Sequence, residues 1–394
     1  MSRKFLPYGR HFITEEDIEA VSRVLRSDWL TQGPEVSAFE EALCRLTGAR
    51  YAVAVSNGTA ALYLACRALD IKEGDLGITT PLSFVASANC MAICGARVDF
   101  VDIEMGAYCM DPEALERFCL KSGPPKVVVA VDFAGIPAAL PTIWDLAGRF
   151  GFHVIEDAAH AIGSRYLCDE RWINCGECIH SDLAIFSFHP VKTITCGEGG
   201  VVLTNDDGLA ERVKMLATHG IERRHENFVT DIPRMPWAYE MQELSLNFRL
   251  SDIHAALGLS QIKRLPGIKQ KRQEIFAFYN STLRDLESKG LVKLPTWQER
   301  HDPCPHLYVL LLTKTSPIDR DDLYLRLKDI SIGCQVHYWP IHLQPYYAME
   351  YDYGPSKAPN ALEFARNALS LPLFPSMDQG DMERVVQTIH EIME

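Results

Sequence analysis

From residue 50 to about 205 the chain alternates short apolar runs with segments of helical spacing, and no other feature restricts its fold as tightly. The runs Tyr51–Val55, Ala96–Val101, Lys126–Val131, His153–Ile155, Leu183–Ser187 and Val201–Thr204 have the length and composition of buried strands. Between several of them, Thr59–Leu69, Ser83–Cys94, Asp111–Leu120 and Thr142–Phe150 carry helical spacing and caps. Strands alternating with helices predict an α/β architecture with a mostly parallel sheet covered on both faces. Ahead of it, Thr14–Ser27 opens with an N-cap and an acidic first turn and reads as a surface helix. Behind it, Ile221–Leu244 is charged, Pro-containing and aromatic without period, as in a long ordered loop or a partner-contacting arm. Ser251–Ile262 and Ile268–Leu286 read as helices. Then come a strand (His306–Leu312), a helix (Arg320–Leu327), a strand (Gly333–His337) and two closing helices (Asn360–Leu369, Met377–Ile392). The division expected is a large α/β domain over residues 1–265, then a linking helix and a smaller C-terminal α+β domain over 266–394.

Charge narrows the partners. With 39 basic against 52 acidic residues the net charge is −13, which leaves no basic excess for nucleic acid and makes small molecules the expected ligands. No apolar run reaches membrane-spanning length and the start MSRKFLPYGR lacks the apolar core of a secretory signal, so a cytoplasmic protein with reduced cysteines is expected. Cys175 and Cys178, with Cys168 and His180 nearby, are too incomplete a set for a zinc knuckle. They read as thiols on a hairpin tip, with no metal expected.

The chemistry-bearing residues fall where a parallel sheet exposes them, at the carboxyl ends of strands. Ser56-Asn57-Gly58-Thr59-Ala60 follows the first strand and opens a helix, a place where backbone N–H groups can hold a phosphate; a plain N-cap explains it equally well. Asp157 ends the run Val154–Asp157, where a buried carboxylate needs a cation or hydrogen bonds. Lys192 stands in SFHPVKTITCGEGG among Ile185, Phe186, Phe188, Val191 and Ile194, an apolar setting unusual for a solvated lysine. An amine for a Schiff base, a carboxylate for a ring nitrogen and donors for a phosphate, with Phe84 to stack on a ring, are the requirements of pyridoxal phosphate (PLP).

Together LTQGPEVSAFE, VSNGTAAL, TTPLSFVASAN, EDAAHAIGS, SFHPVKTITCGEGG, NFRLSDIHAALGLSQI, VHYWPIH and LSLPLFP resemble the DegT/DnrJ/EryC1/StrS nucleotide-sugar aminotransferases. These are fold-type I PLP-dependent transferases, and the motifs run in family order from about residue 28 to 375. The wording around the lysine is most similar to the branch that makes UDP-4-amino-4,6-dideoxy-N-acetyl-β-L-altrosamine, towards pseudaminic acid. The resemblance implies that Lys192 carries the cofactor and moves the proton, and that Asp157 pairs with the ring nitrogen. It places His160 beside the ring, Gly58, Thr59, Ala60 and Ser187 on the phosphate, and Phe84 on the ring face. Asn247 is expected to reach the cofactor of a neighbouring subunit, making the active unit a homodimer with shared sites. Arg249 is a candidate for the donor carboxylate or for a structural ion pair; Thr31, Gln32, His337 and Tyr338 are candidate sugar or nucleotide contacts, His337 equally a core histidine.

The implied reaction moves the amino group of glutamate, which leaves as 2-oxoglutarate, to C4 of a UDP-4-keto-6-deoxy-N-acetylhexosamine by a ping-pong cycle. Other nucleotide-linked keto sugars (dTDP, GDP or 3-keto) and a non-catalytic PLP-binding protein are the alternatives. Four positions depart from the family pattern: Gly77 stands where a β-branched strand residue is usual, Asp132 where a His is common, and Ala138-Ala139 where a more polar pair is frequent. A glycine inside a strand weakens it by roughly 0.5–1 kcal/mol.

Overall fold

The computed structural model describes residues 4–393. Two helices, α1 (Glu15–Leu25) and α2 (Pro34–Thr47), lead into β1 (Tyr51–Val55), α3 (Gly58–Ala68), β2 (Leu76–Thr79), α4 (Ala86–Ile93) and β3 (Arg97–Phe100). There follow α5 (Pro112–Ser122), β4 (Val127–Val131), α6 (Leu140–Phe150) and β5 (His153–Asp157), a hairpin of β6 (Arg165–Cys168) and β7 (Arg171–Asn174), then β8 (Leu183–Ser187), β9 (Gly200–Thr204) and α7 (Asp207–Leu216). Seven of these strands make one sheet in the order β1-β9-β8-β5-β4-β2-β3. Strands β2, β3, β4, β5 and β8 pair in parallel, and β9 runs antiparallel to both β1 and β8. The mostly parallel sheet expected from the alternation is present, with one strand reversed.

Both faces of the sheet are covered, which is why its central strands read as unbroken apolar runs. Val127, Val129 and Ile155 pack into the core beneath α3 and α4, while Val128, Ala130 and Val154 face α5 and α6 on the other side. Each large apolar side chain so enclosed contributes about 1.5–3 kcal/mol. Gly77 lies in this packing, in β2: a Cβ there would stand 2.2 Å from Met91 Sδ. The missing side chain is a notch that seats α4 against the sheet, so the expected loss of strand packing is offset by the close approach of the helix.

In this part of the chain α2, α7 and the β6–β7 hairpin escape the sequence reading, and β2 enters it only through Gly77. The hairpin also relocates the cysteine pair. Its tip is Asp169–Glu170, and Cys175 and Cys178 follow β7 as buried core residues, so the hairpin-tip expectation is corrected. The segment from Ile221 is a loop pinned by a short ladder of β10 (Ile221–Glu222) with β11 (Glu240–Met241), and by the Glu240 carboxylate, which accepts the N–H groups of Val229 and Thr230. Beyond it, α8 (Asp252–Thr282) is one helix where two were expected, continuing through Pro266. Proline costs one hydrogen bond there, and the buried face of Leu265, Ile268, Arg272, Ile275 and Tyr279 carries the helix past it.

The remainder comprises α9 (Arg284–Ser288), β12 (Val292–Lys293), β13 (His301–Asp302), β14 (Tyr308–Leu312), α10 (Arg320–Asp329), α11 (Pro345–Tyr351), α12 (Pro359–Asn367), β15 (Ala368–Leu371) and α13 (Gln379–Met393). An antiparallel sheet β12-β14-β15 forms its centre, and β13 extends the β6–β7 hairpin. Gly333–His337 is not a strand: it touches the sheet through a single bridge, Gln335 to Ser370. The helix expected over Asn360–Leu369 ends at Asn367, because the chain turns there into β15. Arg272, 2 % exposed, gives Nη1 to the carbonyl oxygens of Pro305, His306 and Leu373 at 3.2–3.3 Å and so joins α8 to the segments entering β14 and leaving β15.

Candidate active site

A cavity of about 540 Å³ opens where β1, β4, β5 and β8 end, the carboxyl edge at which open α/β sheets take ligands. Four elements bring its groups together. At the end of β1, Asn57 caps α3 by accepting the N–H of Ala60 at 2.8 Å, which leaves the N–H groups of Gly58 and Thr59 without acceptors inside the helix. Gly58 is needed for the approach of this helix to β8: a Cβ there would lie 2.8 Å from Ser187 Cβ. Gly58, Thr59 and Ser187 thus line one end of the cavity as an anion cradle. Ala60 does not join them, because its N–H is spent on the cap.

Asp157 ends β5 on the cavity floor, 4 % exposed. Ser87 Oγ donates to its Oδ2 at 2.6 Å and the N–H of Ala159 to its Oδ1 at 3.2 Å. Burial pushes this carboxyl above its ordinary range, while the two hydrogen bonds and the Lys192 charge pull it back towards ionisation. Ser83 Oγ lies 2.7 Å from Ser87 Oγ, so the donor is itself held. Lys192, half-buried, sits in the turn after β8 and lines the cavity. Loss of hydration drops its pKa to about 8, against the opposing pull of Asp157. A lysine amine that is partly neutral near pH 7 is a nucleophile and a proton carrier.

The opposite wall is built of imidazoles and phenols. His160, His306 and His337 are all buried, and burial is the main reason that each stays neutral; His337 is pushed down to about 3. The rings of His160 and His306 lie 4.3 Å apart, and Nδ1 of each is buried without a partner. His160 Nε2 is 3.4 Å from Tyr338 Oη, and His337 Nδ1 is 2.8 Å from Ser370 Oγ, so His337 is both a satisfied core residue and a lining one. Phe84, 57 % exposed, stands at the cavity rim with its ring 6.3 Å from that of Tyr338.

Lys192, Asp157, His160, Gly58, Thr59, Ser187, Phe84, His337 and Tyr338 therefore meet in one cavity. Thr31, Gln32, Asn247 and Arg249 do not line it. They gather on the surface near the start of α8, where Thr31 bridges to Ser251, Arg249 to Val55, and Asn247 Oδ1 accepts the Arg249 N–H at 3.1 Å. Arg249 has no ion-pair partner among the described residues. Ser83, Ser87, His306, Tyr8 and Glu198 line the cavity without having been singled out. Only Ser83 and Ser87 left a signal, two hydroxyls one helical turn apart in TTPLSFVASAN.

These groups fit PLP. Orphaned N–H groups at a helix start suit a phosphate, a hydrogen-bonded carboxylate suits a cationic ring nitrogen, and an enclosed amine of lowered pKa suits a carbonyl. The spore coat polysaccharide biosynthesis protein SpsC of Bacillus subtilis is 36% identical over 391 residues, 99% of this chain and 97% of that one. Helicobacter pylori PseC, an aminotransferase involved in the biosynthesis of pseudoaminic acid, superposes with a TM-score of 0.88 at 30% identity, covering 99% of each chain. Spr1654 of Streptococcus pneumoniae, assigned as a sugar aminotransferase, gives in its PLP form a TM-score of 0.87 at 25% identity, again over 99% of each chain. The family profile of the DegT/DnrJ/EryC1/StrS aminotransferases matches residues 11–390. The chain is thus a PLP-dependent sugar aminotransferase, and it belongs to the DegT/DnrJ/EryC1/StrS aminotransferase family.

Proposed function

We propose that the chain transfers the amino group of glutamate to C4 of a UDP-4-keto-6-deoxy-N-acetylhexosamine, in the cytoplasm, within a pathway of the pseudaminic acid type. The observation that carries this reading is the enclosed Lys192 amine facing the Ser87-bonded Asp157 carboxylate in one cavity. Likeness to PseC and SpsC supports a sugar acceptor in a surface-polysaccharide route.

Bound in the cavity, PLP supplies an electron sink that lets a proton leave the carbon bearing the amine. Lys192 is the group that takes that proton and returns it, its pKa of about 8 placing acid and base forms both within reach near neutrality. Asp157 would hold a cationic ring nitrogen by its charge, a form that the hydrogen bonds from Ser87 and Ala159 favour. Gly58 and Thr59 N–H groups with Ser187 orient the phosphate, Phe84 covers the ring face, and neutral His160 stands beside it. Thr31, Gln32, Asn247 and Arg249 serve the cavity of a second copy, so that the working unit is a homodimer. Exposed Trp29, Leu30 and Leu246, their neighbours in the chain, supply apolar surface for that contact.

The test is a visible spectrum of the PLP-loaded protein. Glutamate should bleach its absorption, and a UDP-4-keto-6-deoxy-N-acetylhexosamine should restore it. Bleaching reversed only by a dTDP-, GDP- or 3-keto sugar would replace the acceptor, and a spectrum indifferent to glutamate would reject the donor.

A further inference from the structure

Directly behind the site lies a second buried cluster that the reaction as described does not use. Asp132, which follows β4, Glu156 in β5 and Cys175 after β7 bring a carboxylate oxygen each and a sulfur to within 4.8 Å of one another. All three are sealed from solvent, Asp132 completely. Successive residues of a strand point to opposite faces, so Glu156 and Asp157 are neighbours in the chain on opposite sides of the sheet. The Asp132 N–H donates to the Asp157 carbonyl at 3.1 Å, which fixes the two sites to each other.

The cluster is short of protons. Asp132 Oδ1 accepts the Ala138 N–H at 2.8 Å, and the Gly176 N–H is shared by both oxygens of Glu156 at 3.1 and 3.2 Å. Asp132 Oδ2 is buried without a hydrogen-bond partner from nitrogen or oxygen, and the Cys175 thiol, a weak donor, faces both carboxylates. The titratable groups that face the pair are Asp157, Cys175, Cys178, Tyr166 and Cys109; none is a cation. Two bare carboxylates at this separation in a dry site repel each other and each lacks solvation. One proton between them gives Oδ2 its partner and leaves a single charge.

We infer that Asp132 and Glu156 form a carboxylic acid–carboxylate pair holding one proton, and that its remaining negative charge is a positioning element that strengthens the hold of Asp157 on a cationic ring nitrogen. The second half rests on the role proposed for Asp157; the first does not. Burial and mutual repulsion raise both carboxyls, Asp132 to about 7, which agrees with a pair that keeps a proton when ordinary carboxyls have lost theirs.

The experiment combines two readouts. An infrared spectrum of the holoenzyme at pH 8 should contain a protonated-carboxyl C=O band that disappears in the D132N/E156Q double variant. Absence of that band from the wild type, or one equivalent of zinc in the purified protein, overturns the shared proton. Affinity for PLP, measured by titrating cofactor-free protein, should fall about tenfold in the charge-free double variant, the effect of removing one charge roughly 10 Å away in a protein interior. D132N alone, whose amide donates to a charged Glu156, should stay within about twofold of wild type by the same argument. Equal affinity in the double variant and the wild type overturns the positioning role. Asp157→Asn is the separate control: if it binds PLP as tightly as wild type, the assignment of Asp157 fails while the infrared result still decides the pair.

Discussion

Replacing Gly58 by alanine is the most direct probe of the phosphate cradle, because its effects on the fold and on cofactor affinity differ in size and are read separately. The new Cβ would start 2.8 Å from Ser187 Cβ and 3.1 Å from Ser187 Oγ. Carbon atoms in contact settle at about 3.5–4.0 Å, so α3 and β8 must part by roughly 0.7–1.2 Å at this point. Overpacking of that kind costs about 1–3 kcal/mol, while alanine in place of glycine in a helix returns about 0.5–1 kcal/mol. The fold should therefore lose only about 0–2.5 kcal/mol, read as a small shift of the urea midpoint of the cofactor-free protein. The cradle should lose more in relative terms. Moving the Gly58 and Thr59 N–H groups off the phosphate forfeits one charge-assisted hydrogen bond, about 1.5–3 kcal/mol, or roughly ten- to a hundredfold in PLP affinity. Equilibrium titration with PLP measures that directly. Removing the clash with Ser187→Gly in the G58A background should restore the helix position without restoring the serine hydroxyl, a partial recovery. Wild-type PLP affinity in G58A would refute the cradle.

Lys192→Ala should abolish turnover and leave the circular dichroism spectrum unchanged; retained activity would reject Lys192 as the proton carrier. In cofactor-free protein, borohydride trapping of PLP on Lys192 should rise with a midpoint near pH 8, and lower still in Asp157→Asn, because the Asp157 charge is what holds the amine's pKa up; a midpoint near 10 would contradict the enclosed amine. Ser87→Ala removes a 2.6 Å donor from a buried carboxylate, so Asp157 should move further above its ordinary range and PLP binding weaken by about 1.5–3 kcal/mol. Asp132 is raised to about 7 in the folded state against about 3.8 unfolded, so it stabilises fully below about 4 and loses that contribution as pH rises through about 7, where Glu156, raised further, keeps the remaining proton of the pair. Asp132→Asn should flatten this fall, which is at most about 1.4 kcal/mol per pH unit, in urea midpoints measured from pH 5 to 8.

Most of the central sheet was legible because burial on both faces writes strands such as β4 and β8 as unbroken apolar runs. Strand β2 was harder to read: Gly77 breaks the β-branched pattern, and its reason, the sulfur of Met91, is a contact between elements that no local window contains. Pro266 divided α8 on paper because the proline penalty is local, whereas the packing that overrides it is spread along the buried face. In the site, Lys192 and Asp157 stood out because their polarity conflicts with their surroundings. His306 did not, since a histidine entering an apolar strand becomes a cavity residue only through the partners that the fold sets around it. The distance of Thr31, Gln32, Asn247 and Arg249 from the cavity was likewise invisible, because a motif specifies residue types and not the side of the molecule on which they emerge.

Arg272 gives the cavity wall a property its histidines alone would not. A guanidinium keeps its proton at every pH a protein meets, and here it is held by three carbonyl groups, which have no charge to lose in acid. Sealed from solvent, the contact is also beyond the reach of screening ions. The backbone under His306 is therefore anchored by a fastening that neither acid nor salt loosens. When ionic strength or acidity inactivates this enzyme, the failure should begin at the anion cradle, with the imidazole wall the last part to give way.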